Sequence, residues 1–152
     1  MIISYLALGS NLKTPARQLY LAIYALRRAP GIQVLSIAPF FPNKAVGRRA
    51  QPNFCNTVVK VMTTLTPQRL LSCCRTIEKK QGRIRRTKWA ARTLDIDILL
   101  YGQQRIQTPS LTIPHPELSK RDFVIIPLLQ INPDLSLISD LTPFSTSRIP
   151  VA

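Results

Sequence analysis

Two Thr-Pro dipeptides constrain the fold of this chain more than any other feature of its sequence. Thr14-Pro15 and Thr66-Pro67 each follow an apolar stretch, and each begins a segment with apolar residues at helical spacing. Threonine is a favoured N-cap residue, and proline is favoured at the first helical position. The two dipeptides therefore predict two helices, each of which follows a β-strand.

The segments around these helices have the composition of strands. Residues 2–8, 32–41, 54–65 and 93–101 are rich in β-forming residues and are bounded by turn-forming residues. A short helix is predicted at residues 123–130, in a C-terminal extension. The order β-α-β-β-α-β is typical of the ferredoxin-like α+β fold, in which an antiparallel sheet has helices on one face. We therefore predict a single domain of this class over residues 1–152.

The net charge of the chain favours anionic partners. Lysine and arginine total 21 and aspartate and glutamate total 7, which gives +14. A field of this sign attracts nucleic acid, acidic lipid or phosphorylated small molecules, and composition alone does not choose among them. The three cysteines are odd in number and form no C-x-x-C pair, so the sequence predicts neither a disulfide framework nor a zinc site.

The N-terminal residues lack a basic leader and run directly into Gly9-Ser10-Asn11. This pattern predicts a first strand and a turn rather than a signal peptide. No apolar run approaches the roughly 18 residues that a transmembrane helix requires. We therefore expect a soluble, cytoplasmic protein that has no membrane partner and acts as a monomer.

Two aspartates on one predicted strand form a candidate metal site. Alternation along the strand places the side chains of Asp95 and Asp97 on the same face. The opposite face, directed at the core, is then formed by Leu94, Ile96, Ile98 and Leu100. Neighbouring carboxylates tolerate ionisation only with cations nearby, which are either basic side chains or Mg²⁺. The spacing alone leaves both interpretations open.

A basic segment before the aspartates favours the metal interpretation. Residues 75–92 contain eight lysines and arginines, and Glu78 is their only acid. Guanidinium groups pair with phosphate oxygens in bidentate fashion. A basic segment in isolation is usually only solvated. Beside an acidic strand, however, it predicts a site for a metal-bound polyphosphate.

The single histidine and the single tryptophan each have two interpretations. His115 lies between Pro114 and Pro116, and a histidine in such a loop is more often structural than catalytic. Trp89 lies in the basic segment, where it would either anchor the loop or cover a nucleotide when the loop closes.

Seven motifs, in order along the chain, resemble those of the 6-hydroxymethyl-7,8-dihydropterin pyrophosphokinase family. They occupy residues 7–12, 51–56, 78–85, 89–99, 113–116, 121–124 and 127–128. Several spaced motifs are more specific than one, and together they span nearly the whole chain. The resemblance implies a ferredoxin-like fold and transfer of a pyrophosphoryl group from ATP to a pterin alcohol in folate biosynthesis.

The resemblance also implies roles for individual residues. Asp95 and Asp97 would bind two Mg²⁺ ions that bridge ATP and the pterin hydroxyl. They would act in catalysis together with Arg83, Arg85, Trp89 and Arg92. ATP would contact Glu78, Arg83, Arg92, Ile98, His115 and Arg121. The pterin would contact Gly9, Val46, Phe54, Asn56 and Phe123.

Two alternatives stay open at this point. An RNA-binding module shares the predicted order of elements, but it needs stacking aromatic residues on its central strands, and residues 56–62 contain none. We therefore expect no nucleic-acid partner. The second alternative is a relative whose pterin activity is lost or altered. It is suggested by the loop sequence Lys88-Trp89-Ala90-Ala91-Arg92, where the family usually has Arg-Trp-Gly-Pro-Arg.

Overall fold

The helices begin where the two Thr-Pro dipeptides predict. The computed structural model describes residues 1–11, 14–43, 54–82 and 94–134. Its helices are α1 (Pro15–Arg28), α2 (Pro67–Lys80) and α3 (Asp122–Ile131), and a 3-10 turn lies at Leu118–Lys120. Its strands are β1 (Ile2–Ser10), β2 (Ile32–Ile37), β3 (Phe41–Asn43), β4 (Phe54–Thr63), β5 (Asp95–Tyr101), β6 (Ile106–Gln107) and β7 (Thr112–Ile113).

The five strands β1 to β5 form one antiparallel sheet. Its order is β2-β4-β1-β5, and β3 pairs with β4 beyond the end of β2. β1 pairs along its whole length with β4 and also with β5, so β5 lies at an edge of the sheet. β6 and β7 form a separate two-stranded sheet. The prediction of an α+β chain with an antiparallel sheet is therefore confirmed.

Apolar residues cover both faces of the sheet. α1 and α2 pack on one face, where Leu19, Leu26 and Leu70 are fully buried against residues of β1, β4 and β5. α3 packs on the other face, against a second cluster that includes Tyr5 and Val58. Burial of each large aliphatic side chain contributes about 1.5–3 kcal/mol. The C-terminal extension thus completes the core on the face that α1 and α2 leave open.

Strand two was predicted as one run over residues 32–41, and the structure divides it. β2 ends at Ile37 and β3 begins at Phe41. Pro39 has no N–H to donate and restricts the residue before it, so the ladder is interrupted there. Ala38 nevertheless stays tied to β4, because its N–H donates to the Val58 carbonyl at 2.9 Å and its carbonyl accepts from Thr57 Oγ1 at 2.8 Å.

The prediction that Leu100 faces the same side as Leu94, Ile96 and Ile98 is wrong. Tyr5 pairs with Leu100 and Leu6 pairs with Ile98, so Leu99 is an extra residue in β5. A bulge of one residue reverses the alternation beyond it. Leu100 therefore packs with Leu99 on the α3 face. Asp95 and Asp97 precede the bulge, where the alternation is regular.

The helices are short. α1 and α2 contain 14 residues each and α3 contains 10. Within residues 1–11, 14–43, 54–82 and 94–134, no helix has the length and apolar composition that crossing a bilayer requires.

The two N-cap threonines differ, which gives a matched test of helix capping. The Arg69 N–H donates to Thr66 Oγ1 at 3.3 Å, whereas Thr14 makes no such bond among the described residues. Thr66→Ala is expected to lower the free energy of unfolding by about 1 kcal/mol, because α2 loses a cap. Thr14→Ala should lower the free energy of unfolding by a clearly smaller amount. Urea unfolding of both variants measures the difference, and equal costs would contradict the capping assignment.

Candidate active site

Asp95 and Asp97 lie on the α3 face of the sheet, at the start of β5. Both side chains are half-buried, whereas Ile96 between them is buried in the core formed with α1 and α2. The carboxylates therefore share one face, as the alternation predicts. Gly9 pairs with Asp95 and Ala7 pairs with Asp97 on the adjacent strand. Of these two small residues, Ala7 lines a cavity together with Asp97.

A row of paired residues connects Asp95 to Asn56 across three strands. Gly9 of β1 pairs with Asn56 of β4 on one side and with Asp95 of β5 on the other. Residues directly opposite one another in an antiparallel pair project from the same face. The row therefore brings together a residue predicted to contact the pterin and a residue predicted to bind metal. Nothing in the spacing of positions 9, 56 and 95 along the chain indicates this proximity.

The side chain of Asn56 is buried, and one of its polar atoms has no hydrogen-bond partner among the described residues. Asn56 is 7% exposed, and its Nδ2 has no hydrogen-bond partner in the described part of the chain. A buried donor without a partner costs about 1–3 kcal/mol. Such an atom in a cleft is therefore a candidate for contact with a ligand. Phe54, predicted to stack on the same ligand, begins β4 two residues away and is half-buried.

Gly9 packs closely against the Asn56 amide. A Cβ atom built on Gly9 would lie 2.6 Å from Asn56 Oδ1, which is closer than real contacts allow. Any side chain at position 9 would therefore displace the amide. This contact explains the glycine through close approach rather than through backbone conformation.

A cavity beside Asp97 brings three of the predicted residues together. Asp97 comes from β5, His115 comes from the loop after β7, and Arg121 precedes α3. The described residues that line it are Ala7, Asp97, Leu99, His115, Glu117, Leu118, Arg121 and Val124. Ala7 and Glu117 are absent from the sequence-based site. Ala7 lies in the first motif, but its methyl side chain carries no functional group that would single it out, and Glu117 belongs to no motif or charge cluster.

His115 is held in one orientation by two hydrogen bonds. Its backbone N–H donates to the Leu99 carbonyl at 3.0 Å, and its Nδ1 accepts from the Glu117 N–H at 3.1 Å. Because Nδ1 is an acceptor, the proton of the neutral ring is on Nε2. Burial lowers the pKa of His115, while Asp97 raises it and Arg121 lowers it further. The ring is therefore a neutral donor at physiological pH.

Arg121 and Phe123 lie together at the beginning of α3. The Arg121 guanidinium stands over the Phe123 ring, 5.8 Å from its centroid. The Arg121 carbonyl also accepts from the Val124 and Ile125 N–H groups at 3.0 and 2.9 Å, which fixes the entry into the helix. The start of α3 thus places a cation in the Asp97 cavity and a half-buried aromatic ring beside it.

Glu78 and Ile98 do not present free side chains to a ligand. Glu78 is 2% exposed, and its Oε1 and Oε2 accept from Arg75 and from the Ile96 N–H. The Ile98 side chain is buried in the core formed with α1 and α2. A contact between Ile98 and ATP would therefore use its main chain at the edge of the sheet. Both assignments to the ATP site remain predictions.

Five predicted site residues lie outside the described ranges: Val46, Arg83, Arg85, Trp89 and Arg92. Their roles stay predictions from the resemblance. Within the described ranges, no group of three or more His, Cys, Asp and Glu residues is arranged to hold a metal ion. Magnesium does not require such a group, since one or two carboxylates suffice when water and phosphate complete its shell.

Comparison with known proteins identifies close relatives. Residues 5–133 match the family model described as 7,8-dihydro-6-hydroxymethylpterin-pyrophosphokinase. The chain is 45% identical over 137 residues to the 2-amino-4-hydroxy-6-hydroxymethyldihydropteridine pyrophosphokinase of Haemophilus influenzae, covering 90% of this chain and 86% of the relative. Proteins of the same name from Pseudomonas aeruginosa and Aquifex aeolicus are 41% and 43% identical, over 88% and 86% of this chain and 82% and 81% of theirs.

The single histidine permits a direct test of its environment. Proton NMR titration should give a pKa for His115 in the folded protein below the ordinary 6.5, because burial disfavours the charged ring. The unfolded chain then binds the proton more readily, so His115 should lower the stability as the pH falls below about 6.5. The same resonance in urea is the control. A folded-state pKa at or above the urea value would contradict the assigned environment.

The contact between Gly9 and Asn56 is testable by a double-mutant cycle. Gly9→Ala should destabilise the fold by about 1–3 kcal/mol, because the new methyl group overpacks against Asn56 Oδ1. In an Asn56→Ala background the same substitution should cost much less, since the clashing amide is gone. Urea unfolding of the four proteins gives the coupling energy. Additive costs would exclude the close approach.

Proposed function

The chain belongs to the 7,8-dihydro-6-hydroxymethylpterin-pyrophosphokinase family, and we propose that the α3 face around Asp95 and Asp97 is its active site. The protein is an ATP-dependent diphosphotransferase of folate biosynthesis. It transfers pyrophosphate from ATP to 6-hydroxymethyl-7,8-dihydropterin and releases AMP. The row of Asn56, Gly9 and Asp95 is the observation that supports this location most strongly. It places the Asn56 amide, proposed to contact the pterin, on the same face of the sheet as the two carboxylates.

The pterin pocket is proposed at Asn56. The amide of asparagine offers two donors and an acceptor, which suits the polar edge of a pterin. Its Nδ2 is already dehydrated and lacks a partner among the described residues. An acceptor atom of the ligand would therefore remove the free-energy cost of this buried, unpaired donor. Phe54 and Phe123 would stack on the flat ring, and Val46 would line the pocket as the resemblance implies. The absence of a side chain at Gly9 makes room for the Asn56 amide itself.

Two Mg²⁺ ions are proposed at Asp95 and Asp97, and the residues fit them. Both carboxylates lie on one face and are half-buried, and Asp97 lines a cavity. Carboxylate oxygens are the ligands that magnesium prefers. When bound, such ions neutralise charge that develops on phosphate oxygens and align the reacting groups.

The phosphates of ATP are proposed to lie along the Asp97 cavity. His115 offers an Nε2–H donor from a neutral ring, and Arg121 offers a guanidinium. Arg83 and Arg92 would add two more cations, as the resemblance implies, and Arg85 and Trp89 would close over the site. Positioning and charge stabilisation dominate phosphoryl-type transfer. These residue types supply both.

The transfer needs no covalent intermediate on the protein. The hydroxymethyl oxygen of the pterin attacks the β-phosphorus of ATP and loses its proton. The bond from that phosphorus to the oxygen shared with the α-phosphorus breaks, and AMP leaves. The chain's contribution is to hold the two substrates in line and to stabilise the charge on the oxygens between them.

The finer fold class, the compartment and the oligomeric state are likewise proposed. The strand order β2-β4-β1-β5, with every pair antiparallel, supports a ferredoxin-like arrangement extended by α3. A cytoplasmic monomer is what we expect from the sequence.

Removal of either carboxylate should abolish the reaction. Asp95→Asn or Asp97→Asn is expected to reduce pterin-dependent AMP formation at least about 100-fold, because metal-based charge stabilisation is worth several kcal/mol. Chromatography of mixtures with Mg-ATP and 6-hydroxymethyl-7,8-dihydropterin measures AMP. Asp134→Asn is the control. It removes an exposed carboxylate at the C-terminal end of the described residues and should leave the activity unchanged.

Two results would contradict this assignment. Normal AMP formation by a folded Asp97→Asn protein would exclude the carboxylate pair as the metal site. Nucleotide binding by the wild-type protein without any AMP formation would identify the chain as a relative that has lost the pterin activity.

A further inference from the structure

The main chain of Ile96 is held from outside the sheet by two side chains of α2. β5 is an edge strand, and edge strands have N–H and C=O groups that the sheet leaves unpaired. The Ile96 N–H donates to Glu78 Oε2 at 2.8 Å. The Ile96 carbonyl accepts from Arg75 Nη1 at 2.9 Å. Both polar groups of this residue are therefore satisfied by side chains instead of by a neighbouring strand.

The same two side chains bind each other. Arg75 Nη1 donates to Glu78 Oε1 at 2.9 Å, and the residues are three apart on α2. The side chain of Glu78 is only 3% exposed, whereas that of Arg75 is 40% exposed. Charge-assisted hydrogen bonds of this kind are stronger than neutral ones, and a buried carboxylate that loses its cation is strongly destabilised. Arg75, Glu78 and Ile96 thus form a closed ring of contacts, which we call the edge clamp.

The edge clamp acts on the residue between the two aspartates. Ile96 also buries its side chain against α1 and α2, so it is held through both its side chain and its main chain. Asp95 and Asp97 are its immediate neighbours, and their side chains leave the strand on the opposite face. The direction of each Cα–Cβ bond follows from the peptide planes on either side of Ile96. Fixing those planes fixes the separation and direction of the two Cα–Cβ bonds from which the carboxylates extend.

We propose that Arg75 and Glu78 are positioning residues, and that the edge clamp sets the affinity of Asp95 and Asp97 for magnesium-bound nucleotide. The inference rests on the proposed function, because it assumes that these aspartates bind the metal. Glu78 and Arg75 would then act on the carboxylates indirectly, by holding the main chain of Ile96. No charge pattern in the sequence indicates this role for Arg75. Residues that orient metal ligands typically change metal affinity by about 10- to 100-fold when they are replaced.

The first test compares two arginines on the same helix. Arg75→Met breaks the edge clamp, and Arg69→Met makes the same change of charge at an exposed side chain. Binding of a nonhydrolysable ATP analogue is titrated with Mg²⁺ in each protein. Arg75→Met should raise the half-saturating Mg²⁺ concentration by about 10-fold or more, and Arg69→Met should leave it near the wild-type value. Arg75→Lys keeps charge and donors and should restore part of the affinity.

The second test does not depend on catalysis or on metal. Amide hydrogen exchange of the unliganded protein, followed by NMR, measures protection of the Ile96 N–H. Glu78→Ala removes its acceptor and should speed its exchange by about 10-fold or more, whereas the Val59 N–H in the central β4 should change far less. A similar change at both amides would indicate general destabilisation and would contradict a local clamp.

The failures of the two proposals are distinguishable. Equal Mg²⁺ dependence in Arg75→Met and Arg69→Met, with normal binding by the wild-type protein, would overturn the edge clamp alone. If the affinity of the wild-type protein for nucleotide does not depend on the Mg²⁺ concentration, the proposed metal site is contradicted. The role assigned to the edge clamp is then contradicted as well.

Discussion

The antiparallel pairing of β1 with both β4 and β5 is the constraint on which the site depends. β1 lies between the strand that carries Asn56 and the strand that carries Asp95. Its Gly9 pairs with both of these residues. A one-residue slip in either pairing would turn one of these side chains to the opposite face. The absence of a side chain at Gly9 then lets the Asn56 amide lie over β1. The residue proposed to recognise the pterin and the residue proposed to bind metal thus lie on strands that are joined through β1.

The two faces of the sheet have separate tasks. α1 and α2 bury one face and supply most of the core, while Arg75 and Glu78 reach from α2 to the edge of β5. The other face carries the side chains that we propose as the site, and α3 packs on it and contributes Arg121 and Phe123 at its start. The C-terminal extension is therefore part of the core and contributes to the proposed site. A stable scaffold behind the carboxylates is what precise positioning requires.

Much of the fold is predictable from local sequence, and the contacts between strands are not. The Thr-Pro dipeptides locate both long helices, and alternation correctly places Asp95 and Asp97 on one face. The bulge at Leu99 escapes prediction, because a period of two cannot reveal an inserted residue. The proximity of Asn56 to Asp95 depends on register, and the edge clamp depends on tertiary packing. Arg75 and Glu78 have the spacing of an ordinary exposed helix pair, so their contact with Ile96 leaves no local signal.

The proposed function requires the Asp95 and Asp97 carboxylates and the Asn56 amide to belong to one site. A crystal structure with Mg²⁺, a nonhydrolysable ATP analogue and the pterin would test this requirement. We expect metal on both carboxylates, between the nucleotide and a pterin whose polar edge contacts Asn56. Metal-free aspartates beside bound nucleotide, or a pterin away from Asn56, would contradict the account.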